Sequence, residues 1–125
     1  MTDYNPGECN IGAKEKRNRA ILGASGLVTA ALMAGVIIQQ GLPNYVLLFA
    51  FIPLLLGFEG VFQALNSFCV HYAHKGVYNE GDDLKEVESQ EAHEKDEREA
   101  KRIHGMSIAA SATVTAVLYV VLMML

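Results

Sequence analysis

The sequence predicts an all-α integral membrane protein, in which an antiparallel transmembrane helical hairpin is followed by an acidic cytoplasmic helix that leads into a third transmembrane helix. Hydrophobic residues make up 51% of the 125 residues, yet the charges are concentrated in two patches, 14–19 and 80–104. Ionised groups are excluded from hydrocarbon, so this segregation is typical of membrane proteins. Three runs, 20–40, 45–65 and 105–125, contain one charge between them. Each matches the ~20 residues that a helix needs to cross the hydrocarbon core.

The first run predicts helix one at 20–40, after a cytoplasmic N-terminal segment at 1–19. A buried helix of a soluble protein would show a polar face at helical spacing, and this run barely does. A cleaved signal peptide is the alternative interpretation. The run is longer than a signal core, and no small-x-small cleavage site follows "VIIQQGLPN". We therefore expect a retained helix.

The second run predicts helix two at 45–73. Its connection to helix one contains Gly41 and Pro43, which break a helix and favour a tight turn. Because the link is short, the two helices should form an antiparallel hairpin over 20–76.

The segment 77–104 predicts an acidic cytoplasmic helix. Asp82 and Asp83 can cap its start, where acidic side chains also suit the helix dipole. Three pairs with the acid first at i,i+4 should stabilise it, namely Glu91/Lys95, Glu94/Arg98 and Glu97/Lys101. The helix should lead into the third transmembrane helix at 105–125. Its surface predicts either a solvated linker or a docking surface for a basic partner.

Basic residues flank the predicted membrane helices on one side only. They are Lys14, Lys16, Arg17, Arg19, Lys75, Lys101 and Arg102. The positive-inside rule assigns that side to the cytoplasm. The N-terminus should then be cytoplasmic and the C-terminus outside, in a cytoplasmic (inner or plasma) membrane. The lipid bilayer is the expected partner, and nothing in the chain indicates nucleic-acid binding.

One acidic residue lies inside the second run. Glu59 is roughly 21 Å along the predicted helix from Tyr45, which places it within the bilayer. Gln63 and Asn66 follow at i+4 and i+7 on the same helix face. An ionised carboxylate is costly at that depth, so this polar stripe should face another helix. The functional alternative is a contact with a proton, an ion, or a pigment or other cofactor.

Small residues predict faces where helix backbones approach each other closely. They are Gly23, Gly26, Ala31 and Gly35 in helix one, and Ala109, Ala112 and Ala116 in helix three. Small-x-x-x-small spacing is typical of helix contacts in membranes. We expect these faces to pack against other helices, in this chain or in other subunits.

The stretch "FCVHYAHKG" combines Cys69, His71 and His74. On one helix Cys69 points about 160° away from His71 and about 140° away from His74, so one helix cannot bring all three to a metal. The hairpin should bring Cys9 to the same membrane side as Cys69. A reactive dithiol, a disulfide, a metal site completed by a histidine, and two unrelated thiols all remain open. A haem or chlorin held by one of the interfacial histidines, including His104, is a further alternative.

Two stretches, "CNIGAKEKRNRAILG" and "FQALNSFCVHYAHKG", carry a family resemblance. Its residues are Asn10, Gly12, Arg17, Arg19, Gly23, Leu42–Pro43, Phe68, Cys69, Lys75 and Gly76. Over 9–77 the chain resembles the small inner-membrane two-helix family, the type found as the membrane domain behind a rhodanese domain in YgaP-like proteins. The resemblance implies a self-associating helical hairpin, with a role sometimes tied to sulfur transfer. Val70 stands where the family usually has proline, no rhodanese domain is present, and 80–125 is an addition. Only the cysteine position, Cys69, therefore carries over.

No complete catalytic constellation is present, so the leading hypothesis is not an enzyme. It is a non-catalytic accessory subunit, or a self-assembling scaffold, of a larger membrane complex. One alternative is a thiol- or metal-handling membrane protein that uses Cys9 and Cys69. The other is a small ion or proton transport component that uses Glu59.

Overall fold

The computed structural model describes residues 4–80 and 83–125, which form a mainly helical chain. Its elements in chain order are α1 (Ala13–Gln40), a 3₁₀ helix (Asn44–Ala50), α2 (Phe51–Leu65), α3 (Val70–Lys75), β1 (Val77–Glu80), β2 (Asp83–Glu86) and α4 (Gln90–Met124). Three helical stretches are long and apolar enough to cross a membrane, namely α1, Asn44–Leu65 and α4. These stretches contain the three runs that the sequence marks as membrane helices.

Helix α1 begins at Ala13, seven residues before the predicted start, so the basic patch is part of the helix and not of a preceding segment. It ends at Gly41, which has the left-handed φ of 64° that glycine adopts without strain. The Leu42 N–H donates to the Ile37 carbonyl and the Gly41 N–H to the Ile38 carbonyl. This Schellman motif produces the predicted tight turn.

The single helix predicted over 45–73 is not observed. The stretch consists of the 3₁₀ helix, α2 and α3, with a turn between α2 and α3 where Ser67 has a φ of 51°. Pro53 lies in the first turn of α2, directly after the 3₁₀ helix, which is a position near a helix start where proline is tolerated. The turn after α2 buries Phe68 and Cys69 completely.

The acidic segment is only partly helical, which corrects the prediction of a helix over 77–104. Its first part forms an antiparallel hairpin in which Val77 pairs with Glu86. Asp83 lies in β2 and caps no helix, and Asp82 lies outside the described residues. Helix α4 instead starts at Gln90, with the Ser89 hydroxyl accepting from the Ala92 N–H at 3.2 Å.

Helix α4 runs without interruption from Gln90 to Met124. At 1.5 Å per residue its 35 residues extend about 52 Å, which is longer than the roughly 30 Å of a hydrocarbon core. Of the three predicted ion pairs, Glu91–Lys95 forms at 3.6 Å. Within the described residues, Lys101 and Arg98 form no ion pair.

The polar cap, residues 4–12, 66–80 and 83–104, encloses the first of two hydrophobic clusters. That cluster consists of Phe68, Ala73, Ala100 and Ile103. The second lies toward the opposite end of the helices and consists of Ile37, Leu47 and Ala50, with Leu118, Tyr119 and Leu122 packed against it. Helix α4 contributes to both clusters and so joins the cap to the far end of the bundle.

Candidate functional site

A cleft of about 740 Å³ opens where α1, α2, α3 and α4 meet beside the polar cap. Its polar lining consists of Arg19, Glu59, Gln63, His71, His74, Lys101 and His104, and its apolar lining includes Leu22, Leu56, Val70 and Ile108. This cleft brings together the predicted Glu59 stripe, both histidines of the Cys69 stretch and His104. It is the largest concentration of chemistry-bearing side chains among the cavities of the described residues.

The Glu59 carboxylate is held from two helices. One oxygen contacts the Nδ1 of His104 on α4, and the other accepts a hydrogen bond from the Gln63 Nε2 at 3.2 Å. The Gln63 Oε1 in turn accepts from the Val70 N–H at 3.3 Å, which ties α2 to the start of α3. The carboxyl group of Glu59 therefore has polar partners inside the chain.

Asn66 extends this polar contact toward α4. Its Oδ1 accepts a hydrogen bond from an Arg102 Nη at 3.2 Å, and its Nδ2 donates to the Phe62 carbonyl at 2.7 Å. The structure thus places the ends of the stripe, Glu59 and Asn66, against two side chains of α4. Gln63 faces the backbone of α3.

The two cysteines are both free thiols. Cys69 is completely buried, and its sulfur accepts a hydrogen bond from an Arg19 Nη at 3.2 Å. The partly buried Cys9 thiol donates to the Ile11 carbonyl at 3.6 Å. No three His, Cys, Asp or Glu side chains within 4–80 and 83–125 are grouped so that they could hold a metal ion. His71 and His74 line the cleft and contribute to no such group with the cysteines.

The residue that joins the N-terminal segment to Cys69 is Asn10 and not Cys9. Asn10 is completely buried. Its Oδ1 accepts from the Cys69 N–H at 2.6 Å, and its Nδ2 donates to the Cys69 carbonyl at 3.1 Å. Its backbone N–H donates to the Ser67 carbonyl, and its carbonyl accepts from the Asn79 N–H. Asn10 therefore fastens the N-terminal segment to the α2–α3 turn and to β1.

A second buried polar residue, Asp96, was not singled out by the sequence. Its two oxygens accept hydrogen bonds of 2.7 Å each, from the Tyr4 hydroxyl and from the Gly7 N–H. The Tyr4 ring stacks on Tyr78 with ring centroids 4.1 Å apart. Burial and the hydrogen bond to Asp96 raise the pKa of Tyr4 well above its ordinary value. One sequence signal marks Asp96, because it has alanines at both i−4 and i+4 while its acidic neighbours Glu91, Glu94 and Glu97 have bases at i+4.

The predicted small residues divide into two groups. Gly23 and Gly26 lie against α2, where a Cβ on Gly23 would be 2.6 Å from the Val61 nitrogen and a Cβ on Gly26 would be 2.7 Å from the Gly57 nitrogen. The other predicted residues are exposed in the single chain, namely Ala31, Gly35, Ala109, Ala112 and Ala116. Within the apolar run of α4, small residues are buried at Ser107, Ser111 and Thr115, whose hydroxyls donate to the carbonyls four residues earlier.

Comparisons with known proteins give no match, whether with family models, with curated proteins or with solved structures. The two stretches that carry the family resemblance do contact each other, through Asn10 and Arg19 on one side and Cys69 on the other.

Proposed function

We propose that this protein is a non-catalytic structural or accessory subunit that enters a larger membrane assembly, including assemblies of its own copies, through the exposed faces of its transmembrane helices. The observation that carries the proposal is an apolar groove of about 550 Å³ on the outer face of α4. It is lined by Leu48, Phe51, Ala112, Thr115, Ala116, Tyr119 and Val120. The groove contains two of the small residues that the sequence assigns to helix packing.

The groove has the shape that another transmembrane helix fills. Ala112 and Ala116 are one turn apart and leave space between the larger side chains of Phe51 and Tyr119. Small residues at such positions let a second helix approach closely, and van der Waals packing then drives association within lipid.

A complementary ridge is present on α1. Val28, Leu32 and Val36 are spaced by four residues, are exposed, and form one row along the helix. The ridge lies near the middle of the first apolar run. The groove extends from the middle of the third run toward the end of the bundle with the second hydrophobic cluster, so the ridge and the groove overlap in depth. A second copy of this chain can therefore offer the ridge to the groove.

The chain already uses small residues in this way internally. Gly23 and Gly26 on α1 meet Gly57 and Gly60 on α2 so closely that no Cβ fits at any of the four positions without displacement of neighbouring atoms. Ala112 and Ala116 are also small residues, but they are exposed in the single chain.

The contacts of the polar residues agree with a structural role. Glu59 is engaged by His104, Asn66 by Arg102, and the Cys69 backbone by Asn10. Each contact joins two elements of the fold. In a non-catalytic subunit, buried polar groups have this role of holding the elements together.

Transport through Glu59 has less support. A proton or ion pathway needs polar groups that continue across the membrane. Beyond Glu59, the buried hydroxyls of Ser107, Ser111 and Thr115 donate to carbonyls of their own helix. The far end of the bundle then packs as the second hydrophobic cluster around Ile37, Leu47 and Ala50.

The test is the mass of the purified protein in a mild detergent, measured by native mass spectrometry. We expect the wild type to form assemblies larger than the 13.6 kDa chain. Filling the groove with Ala112→Leu and Ala116→Leu should shift the population toward the monomer. Thr113→Leu adds bulk to the same helix outside the groove lining and should leave the assembly intact. A monomeric wild type without co-purifying chains would contradict the proposal.

A further inference from the structure

We propose that the cleft beside the polar cap binds the phosphate head group of an anionic membrane lipid, whose acyl chains follow its apolar walls into the bilayer. This inference concerns a different surface from the groove on α4 and is independent of the assembly.

The charge of the cleft is opposite to that of the chain. The chain has a formal net charge of −4, yet the cleft is lined by Arg19, Lys101 and three of the four histidines. Glu59 is the one carboxylate in the lining, and its oxygens are engaged by His104 and Gln63. Phosphate oxygens are the acceptors that such a set of donors suits.

Two cations in the cleft have unused hydrogen-bonding capacity. Lys101 is exposed and forms no ion pair with any residue that the structure describes. The Arg19 Nε is buried and has no hydrogen-bond partner within the described ranges, although its Nη contacts Cys69 and lies 3.7 Å from Glu15. Lys101 can therefore donate to a phosphate oxygen in the cleft, and the Arg19 guanidinium adds positive charge to the same lining.

The lining changes from polar to apolar along every long helix of the cleft. On α1, Leu22 lies one turn deeper in the membrane run than Arg19. On α2, Leu56 lies one turn deeper than Glu59, and on α4, Ile108 lies one turn deeper than His104. Over about 5.4 Å the cleft therefore passes from a cationic rim to hydrocarbon-like walls.

This gradient favours a lipid over free phosphate. A soluble anion would use the rim alone and leave Leu22, Leu56 and Ile108 facing an empty cleft. A phospholipid places its phosphate at the rim and its acyl chains against these leucines and isoleucine. The polar and the apolar parts of the lining then both contact the ligand.

The experiment is native mass spectrometry of the full-length protein in detergent micelles that contain equimolar phosphatidylglycerol and phosphatidylcholine. We expect the wild type to retain phosphatidylglycerol selectively. Lys101→Gln should reduce that retention about fivefold, the effect of one lysine near an anionic head group. Lys101 is exposed and unpaired in the described chain, so this variant should fold, and circular dichroism verifies that it does.

Lys16→Gln is the matched control, because it also removes one exposed lysine at the cap end of the helices, on α1, but Lys16 lies outside the cleft lining. We expect its phosphatidylglycerol retention to stay within twofold of wild type. Equal retention of the two lipids by the wild type, or an equal loss in both variants, would overturn the proposal.

Inorganic phosphate distinguishes the two sources of the anion. Added at the concentration of phosphatidylglycerol, it should not displace the lipid, because it contacts no apolar wall. Displacement of the lipid at equal concentration would assign the cleft to a soluble anion and overturn the lipid assignment. The groove-filled Ala112→Leu, Ala116→Leu chain should retain phosphatidylglycerol as the wild type does, which separates this test from that of the assembly.

Discussion

Asp96 carries no exposed surface, although it lies in the most strongly charged part of the chain. A buried carboxylate persists when hydrogen bonds replace the water that it has lost, and the Tyr4 hydroxyl and the Gly7 N–H provide them. Together with Asn10, Asp96 attaches the N-terminal segment to the helices. At the scale of single residues, the polar cap is therefore held by two buried polar side chains.

Tyr4 should make the stability of the cap depend on pH in the alkaline range. Its folded-state pKa is raised above the ordinary value of 10.0, chiefly by burial and then by the hydrogen bond to Asp96. Below pH 10 both states keep the proton and the hydrogen bond contributes fully. Above pH 10 the unfolded state releases the proton that the folded state retains, so this contribution is progressively lost.

The measurement compares the free energy of unfolding of wild type and Tyr4→Phe between pH 7 and pH 11. Near neutrality the wild type should be more stable by roughly 1 kcal/mol, for one hydrogen bond to a buried partner. The difference should shrink as the pH rises above 10. A difference that stays constant up to pH 11 would show that Tyr4 and Asp96 are not coupled in this way.

The sequence marks Cys69 and leaves open whether Cys9 is its partner, whereas the contact that the structure shows is with Asn10. The sequence suggests Cys9 as a partner because thiols react with thiols and bind metals. Asn10 offers a donor and an acceptor instead, and it pairs with the N–H and carbonyl of Cys69 across 59 positions of sequence. A local pattern does not reveal such a contact, because it depends on the φ of 51° at Ser67 that turns this backbone inward.

At the scale of elements, the α1–α2 contact depends on the absence of side chains. A Cβ on Gly23 would be 2.6 Å from the Val61 nitrogen and 2.9 Å from the Gly57 carbonyl oxygen. These are backbone atoms, so a larger residue must push the two helices apart. Gly35 lies on the same helix, and a Cβ there would meet nothing within 4 Å.

Gly23→Ala should therefore destabilise the hairpin by about 1–3 kcal/mol, the usual cost of overpacking. Gly35→Ala should be neutral or stabilising by up to about 1 kcal/mol, because alanine is the better helix former. The measurement is unfolding by increasing SDS mole fraction, followed by near-UV circular dichroism, in enough detergent to keep the chain monomeric. Equal losses from the two substitutions would contradict the close contact.

The long apolar elements and the turn at Gly41 could be predicted from the sequence, but the break between α2 and α3 and the β hairpin could not. A run of ~20 apolar residues has few alternatives to a membrane helix, because every backbone polar group must be satisfied internally. The backbone groups of the polar cap can also form hydrogen bonds with water, so both helix and strand are possible there. Val77 and Tyr78 are strand-forming residues directly after Gly76, whose φ of 72° ends α3, and this local chemistry outweighs the helical charge pattern that follows.

At the scale of the whole molecule, the described polar structure gathers at one end of the helices. The polar cap consists of the N-terminal segment, the turn after α2, α3, the β hairpin and α4 as far as His104. At the other end the described chain has only the connection 41–43 and the last residues of α4. All the basic residues beside the membrane runs lie at the cap end, so the positive-inside rule predicts that the cap is cytoplasmic.

This orientation can be measured with peptide tags in spheroplasts of an expressing bacterial host. A protease added outside should remove a tag after Leu125 and should leave a tag before Met1 intact until the cells are lysed. The order of the helices along the chain predicts this outcome. The hairpin of α1 and Asn44–Leu65 returns the chain to its starting side, and α4 then crosses once, so the two termini must lie on opposite sides if all three stretches span the membrane.

Substitution of the basic residues before the first membrane run tests whether they set the orientation. Lys14→Gln, Lys16→Gln and Arg17→Gln together remove most of the positive charge before the first membrane run, while Lys75, Lys101 and Arg102 remain. Since short basic flanks bias orientation, a fraction of the variant chains should then expose the N-terminal tag outside. Cleavage of the N-terminal tag in intact wild-type spheroplasts would reverse the assignment and place the cap, with its cationic cleft, on the outer surface.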